Sequence, residues 1–448
     1  MDDLMNSDNG RDEVRVATPS GCESVELSGS ILDLKRPRHE SLESVPVPVD
    51  PFIPIRTGDL TRLLFDDPAS TAFERSKLNA FARLLANILH YQSFTGLKRL
   101  QELYAPLDPD SDCLFIQDES TVLTEDSDEA FLAPFERILL RGNFRPLHID
   151  EIRDAIQAPN EMGLNYVPNL GLFEHLRVYV RGRTPVTRIV RNLGTRFRRR
   201  AVVLDGYQRV VVMLKFKKGL DFGPYARSDA LYLRLFKDVP RVDMEMHLPE
   251  QGTKVRMRWV DRAQIASPLV VGFPTLLFKL FFASIVSPML LAGVIVGPIS
   301  AGINSFFGFQ RAKQRHLSLL IRHLYYLNLA NNGSVINRVV GAAEDEDYKE
   351  SLIAYYFLRR HHLENHSSRT TPLVLRDRVR AYLKTKLDLC VDFEVEDALR
   401  KLCELGLVKI DAATGEIESI SLDQALIRLR EVWTGFHPET PCRPIDES

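Results

Sequence analysis

Apolar residues recur at helical spacing through residues 52–105. In "FERSKLNAFARLLANILHY" Leu78, Phe81, Leu85, Ile88 and Leu89 share one face, and "SFTGLKRLQELY" predicts a shorter helix of the same kind. Residues 129–157 predict another helical pair. The period then changes to two. Leu176, Val178 and Val180 alternate with polar positions, as do Val212, Leu214 and Phe216, then Leu231, Leu233 and Leu235, then Val255, Met257 and Trp259. Opposite them stand Arg177, Arg181, Lys215, Lys217, Arg234, Lys254, Arg256 and Arg258. These strands predict an antiparallel or mixed sheet with one apolar side packed on helices and one basic side. Together they form an α+β domain over 110–262.

Alternation stops at Arg262. The next 48 residues carry a single charge, Lys279. As helix they would reach about 70 Å, more than twice a hydrocarbon core of about 30 Å. Ser267-Pro268 and Ser287-Pro288 each place a capping hydroxyl before a proline at a first helical position. A transmembrane hairpin over 263–310 is expected, with helices of about 268–286 and 288–309. Basic residues on both flanks favour the cytoplasm for both soluble parts. The rival is a single span of about 280–307, with Lys279 as an interfacial anchor. In the second helix Gly293, Gly297, Ala301 and Ser305 recur every four residues and form a small face suited to close helix packing.

Helical spacing resumes in "RAKQRHLSLLIRHLYYLNL" and predicts an extension over 311–346. "YKESLIAYYFLRRH", "LRDRVRAYLKTKL" and "EVEDALRKLCELGLVKI" predict three helices, and "VKIDAATGEIESI" two short strands around Thr414-Gly415. Three helices and a hairpin make a winged-helix order, over 347–430, before a tail at 431–448. Its third helix, in the recognition position, holds Glu394, Glu396, Asp397 and Glu404 against Arg400 and Lys401, which disfavours nucleic acid and favours a soluble protein partner.

Overall composition is that of a soluble protein, with 26% charged residues and a net charge of -2 across 448 residues, so the apolar run is a local feature. Residues 1–50 carry eleven acids against five bases and predict a disordered acidic tail, ahead of a helical region at 51–109. That start resembles neither a secretory signal nor a transit peptide. Five scattered cysteines without a Cys-x-x-Cys pair indicate a reducing compartment. From Glu174 to Lys218 thirteen bases face two acids. This excess reads as a solvated surface, as a headgroup-contacting face at Arg177, Arg181, Arg256 and Arg258, or as a nucleic-acid surface with Tyr179, Tyr232 and Phe236 for stacking.

No catalytic constellation emerges. "DPDSDCLFIQDE" imitates a calcium loop but has Cys113 where glycine is needed. His361, His362 and His366 lack a ligand scaffold, and "AAEDEDYKE" reads as an acidic patch at a helix start. No phosphate-binding glycine loop, nucleophile elbow or zincin motif is present, so no catalytic residue, metal or cofactor is assigned.

Several strings carry a resemblance: "ALYLRLFKDVPRVDMEMHLPE", "TKVRMRWVDRAQI", the apolar hairpin, "HLYYLNLANNGSVINRV", "EDYKESLIAYYFL" and "DFEVEDALRKLCELGLV". In this order they resemble the uncharacterised membrane proteins related to transmembrane protein 143, classed under domain of unknown function 3754. The likeness covers roughly 60–430. It implies a two-span membrane protein without an established activity and supplies no catalytic residues. The expected location is a bacterial inner membrane, with the bilayer as partner. Three function classes follow. They are a membrane-anchored structural or interaction protein, an oligomeric pore or transport accessory built on the small-residue face, and a membrane-tethered nucleic-acid binder.

Overall fold

A computed structural model of the chain describes residues 50–66, 71–112, 127–148, 150–151, 164–167, 170–190, 200–219, 227–241, 254–257, 307, 314, 325–365 and 369–436. The N-terminal part holds α1 (Thr57–Phe65) and α2 (Ala72–Tyr104). The Thr71 hydroxyl caps α2 by accepting from the Glu74 amide at 3.2 Å. Leu78, Phe81, Leu85, Ile88 and Leu89 are all buried. The two helices expected here are one of 33 residues. Gly96, within the second of these strings, costs only about 1 kcal/mol inside a helix, and Leu100 and Tyr104 beyond it are buried.

Helix α3 (Ser127–Arg141) leads into the sheet through Asn143, whose φ is 58°. The Phe144 amide closes on the Leu139 carbonyl at 2.9 Å, which ends the helix in a left-handed cap that asparagine tolerates. The strands are β1 (Arg145–Leu147), β2 (Leu164–Val167), β3 (Phe173–Val190), β4 (Arg200–Phe216), β5 (Leu231–Pro240), β6 (Lys254–Met257) and β7 (Asn328–Asn331). Five form one antiparallel sheet in the order β1-β3-β4-β5-β7, while β2 and β6 pair separately.

Register corrects the expected faces. Tyr179 pairs with Val211, Arg177 with Met213 and Lys215 with Leu231. The side packed on α2 and α3 therefore carries Tyr179, Val211, Met213, Leu231, Leu233 and Leu235. Val178, Val180, Val212, Leu214 and Phe216 form a second buried cluster on the reverse. Arg177 and Lys215 thus lie on the helix-facing side, because the central strands bury both faces and alternation alone cannot orient them. Residues 328–331, expected as helix, form the edge strand β7.

After β7 comes α4 (Gly333–Asn365), as long as α2 at 33 residues, or roughly 50 Å. Its first half gives Val335, Ile336 and Val339 to the sheet core. Its second half gives Leu352 to Leu358 to a core shared with α1, α2 and the C-terminal elements. These are β8 (Arg369–Thr370), α5 (Pro372–Leu387), α6 (Val395–Glu404), β9 (Val408–Ile410), β10 (Ile417–Ser419) and α7 (Leu422–Phe436). Strands β8, β10 and β9 form a small antiparallel sheet. The chain turns at Gly415, φ 69°, where Thr414-Gly415 predicted a turn. Helix α7 runs past 430, the boundary set from sequence.

The membrane expectation is corrected. The fold is α+β with antiparallel sheets, and among the described residues no helix is long and apolar enough to cross a membrane. Both helices of sufficient length fail chemically, since α2 carries Glu74, Arg75, Lys77 and Arg83, and α4 carries Glu344 to Asp347. The transmembrane hairpin and the inner-membrane location are accordingly withdrawn. Residues 263–306 and 308–310, with Lys279, Gly293, Gly297, Ala301 and Ser305, lie outside the described residues, as do the tails at 1–49 and 437–448.

Candidate functional site

Polar residues occupy the middle of α4, where a helix surrounded by protein ought to be apolar. Glu346, Asp347, Lys349, Glu350 and Ser351 are all buried, and Lys401 of α6 is buried beside them. "AAEDEDYKE" is therefore no patch at a helix start but an ionic lattice inside the fold. Lys349 Nζ pairs with Glu346 Oε1 and donates to the Ile53 carbonyl at 2.6 Å, while the Ile53 amide donates to Glu346 Oε2 at 3.2 Å. Asp347 is clasped between Arg141 and Lys401. Glu350 takes Lys401 at 3.1 Å on one oxygen and the Asn143 amide at 3.0 Å on the other. Four parts of the chain meet here: the entry to α1, the end of α3, the middle of α4, and α6.

Burial dominates the electrostatics. It pushes the Glu350 carboxyl from 4.5 up to about 7, against the pull of Lys401 and with the help of neighbouring Glu346. Glu346 is raised for the same reason, with Lys349 opposing. On Lys401 desolvation acts downward, yet Glu350 and Asp347 together hold its ammonium above the ordinary lysine value.

Arg181 of β3 connects this lattice to an open hollow. Its guanidinium donates to the Gly142 carbonyl at 3.2 Å and lies 4.3 Å from the Phe52 ring and 4.7 Å from the Phe144 ring. Desolvation lowers it to about 10, partly offset by Glu346. Its Nε is buried without a hydrogen-bond partner among the described residues. The hollow beyond measures about 420 Å³ and is lined by His90, Arg181, Arg209, Arg338, Glu344 and Asp345, among others. Arg209 is lowered by burial first, then raised by Asp238 and lowered again by Arg338. Among the described residues neither Arg209 nor Arg338 has an ion-pair partner, whereas Glu344 is held by His90 Nδ1 at 3.0 Å. A second hollow of about 360 Å³, between α1, α2 and α4, shares Glu344 and Asp345 with the first.

The residues singled out from sequence fall elsewhere or are already engaged. Arg177 pairs with Glu136 and Glu129 of α3. Arg181 is half-buried and donates to the Gly142 carbonyl, Arg256 stands on β6 opposite Asn165, and Arg258 lies outside the described residues. Of the calcium-like loop, Asp110 accepts from Asn332 Nδ2 at 2.5 Å, and 113–119 lie outside the described residues. His361 and His362 sit in the last turn of α4 and join no metal-ligating group among the described residues. On α6, Arg400 pairs with Asp397 and Glu404 and Lys401 turns inward, so the outward side stays acidic.

Sequence reading missed the lattice and the hollow. Two signals were present. "AEDEDYKES" runs directly into "LIAYYFL" without a break in helical pattern, and Gly142-Asn143 announces a left-handed cap that aims a side-chain amide.

Residues 207–334 match the family model described as Protein of unknown function (DUF3754). The matched stretch includes Arg209, β5 and β7 and ends just before Arg338. No solved structure matches the chain.

Proposed function

We propose that the chain is a non-enzymatic interaction protein that binds a compact oxyanion, of phosphate or carboxylate type, in the Arg181–Arg209–Arg338 hollow. One observation carries this reading: three guanidiniums from β3, β4 and α4 converge on one opening of about 420 Å³, and two of them, Arg209 and Arg338, form no ion pair among the described residues. An oxyanion placed there relieves the repulsion between Arg209 and Arg338 and offers an acceptor to Arg181 Nε. Planar guanidinium forks suit such anions better than lysines do.

Helix α4 lines the hollow with its first half, carries the lattice in its middle, and packs the winged-helix-like end with its last half. Ordering the arginines therefore bears on the same helix that supports α6. The acidic outer side of α6 suits a basic protein partner and repels nucleic-acid phosphates.

Calorimetric titration of the full chain with inorganic phosphate, pyrophosphate and sulfate tests the proposal. Binding is expected to weaken with salt and to fall about tenfold or more in Arg209→Met and Arg338→Met, while Arg62→Met on α1 leaves it unchanged. Anion binding that survives both hollow substitutions, or none at millimolar anion, overturns it.

A further inference from the structure

The geometry points to a second site: we propose that Asp128, Glu174 and His175 bind a divalent transition-metal ion at the start of β3. Three observations place it there. One ligand atom from each residue lies within 4.8 Å of the others. Asp128, in the first turn of α3, is only 5% exposed, and its Oδ1 is buried without a hydrogen-bond partner among the described residues. The strand is bulged at this point. Its pairing passes from Phe173↔Phe216 to His175↔Lys215, leaving Glu174 as the extra residue.

The bulge is what makes the cluster possible. In a regular strand Glu174 and His175 would point to opposite faces. An inserted residue breaks the alternation and re-aims a side chain, so both neighbours reach Asp128. His175 Nε2 lies 3.7 Å from Asp128 Oδ2. A buried carboxylate oxygen without a donor is unfavourable, and a cation at Oδ1 removes that deficit.

Lys215 sets the condition for binding. Its ammonium pairs with Asp128 Oδ2 and leaves Oδ1 for the ion. Lys215 therefore competes electrostatically with the metal without blocking its oxygen. One imidazole nitrogen and two carboxylates suit zinc or a similar borderline ion and leave a coordination position for water or substrate. None of these residues lines the arginine hollow, so this site stands or falls separately from the function proposed above.

The test uses the full chain stripped with chelator, titrated with Co²⁺ by visible absorption and with Zn²⁺ by calorimetry. A single ion with ligand-field bands is expected. Glu174→Gln and His175→Ala should each weaken it about tenfold or more, and Lys215→Met should tighten it. Glu174 is exposed at a bulge, so its variant keeps the fold even if changes at buried Asp128 do not, and circular dichroism checks this. Metal binding indifferent to Glu174→Gln and His175→Ala overturns the site. Unchanged affinity in Lys215→Met overturns the placement of the ion on Asp128, and failure of the wild-type chain to take up Co²⁺ or Zn²⁺ overturns the proposal entirely.

Discussion

Asn143, held at φ 58° by the cap of α3, donates its side-chain amide to Glu350 Oε1 at 3.0 Å across 207 residues of sequence. The same nitrogen lies 3.4 Å from Glu346 Oε2, so one helix cap touches two of the three carboxylates buried in the lattice around α4. Asn143→Gly keeps the left-handed backbone but strips the amide, and should destabilise the chain by about 1–3 kcal/mol. Asn143→Ala loses the amide and also strains the backbone, and should cost about 1 kcal/mol more. Urea unfolding of both variants checks the order.

Removing one cation from the lattice should be severe. Lys401→Met leaves Asp347 with Arg141 alone and Glu350 with the Asn143 amide alone. Loss of one partner of a buried pair costs about 3–5 kcal/mol. Adding Glu350→Gln to Lys401→Met should recover part of it, because the neutral amide no longer needs a counter-charge. A double-mutant cycle by chemical denaturation measures the coupling.

Glu350 should give stability a pH dependence of unusual sign. Its folded value, about 7, lies above its ordinary 4.5, so between these limits the folded chain binds the extra proton. Stability from this group is fully present below about pH 4.5 and is lost as pH rises through about 7. Glu350→Gln cannot titrate. The stability of wild type minus that of the variant should therefore fall between pH 4.5 and 7, and a flat difference would contradict the assignment.

Arg177 separates the two possible orientations of the sheet. On a solvent face its replacement by alanine would change stability by no more than about 0.5 kcal/mol. Here Arg177 pairs with Glu136 and Glu129 of α3, so Arg177→Ala should cost about 1 kcal/mol. Thermal melting of Arg177→Ala beside Arg62→Ala, an exposed arginine on α1, makes the comparison.

Local chemistry is what the sequence determined by itself. Period 3.6 around Leu78, Phe81 and Leu85 and period two in β3 to β5 require only neighbouring residues, and both elements are present. The turn at Gly415 and the inward apolar side of α6 are legible for the same reason. The tertiary structure decided the rest. Which face of β3 meets the helices depends on its partners, since Val178 and Tyr179 are both buried and alternation ranks neither. The charged string of α4 gave no local sign of burial, because its counter-ions Arg141 and Lys401 come from 206 and 54 residues away. Only packing could bring them into the space where desolvation makes those charges matter. The hollow of Arg181, Arg209 and Arg338 needs two strands and a helix in register, and no single stretch of the chain announces it.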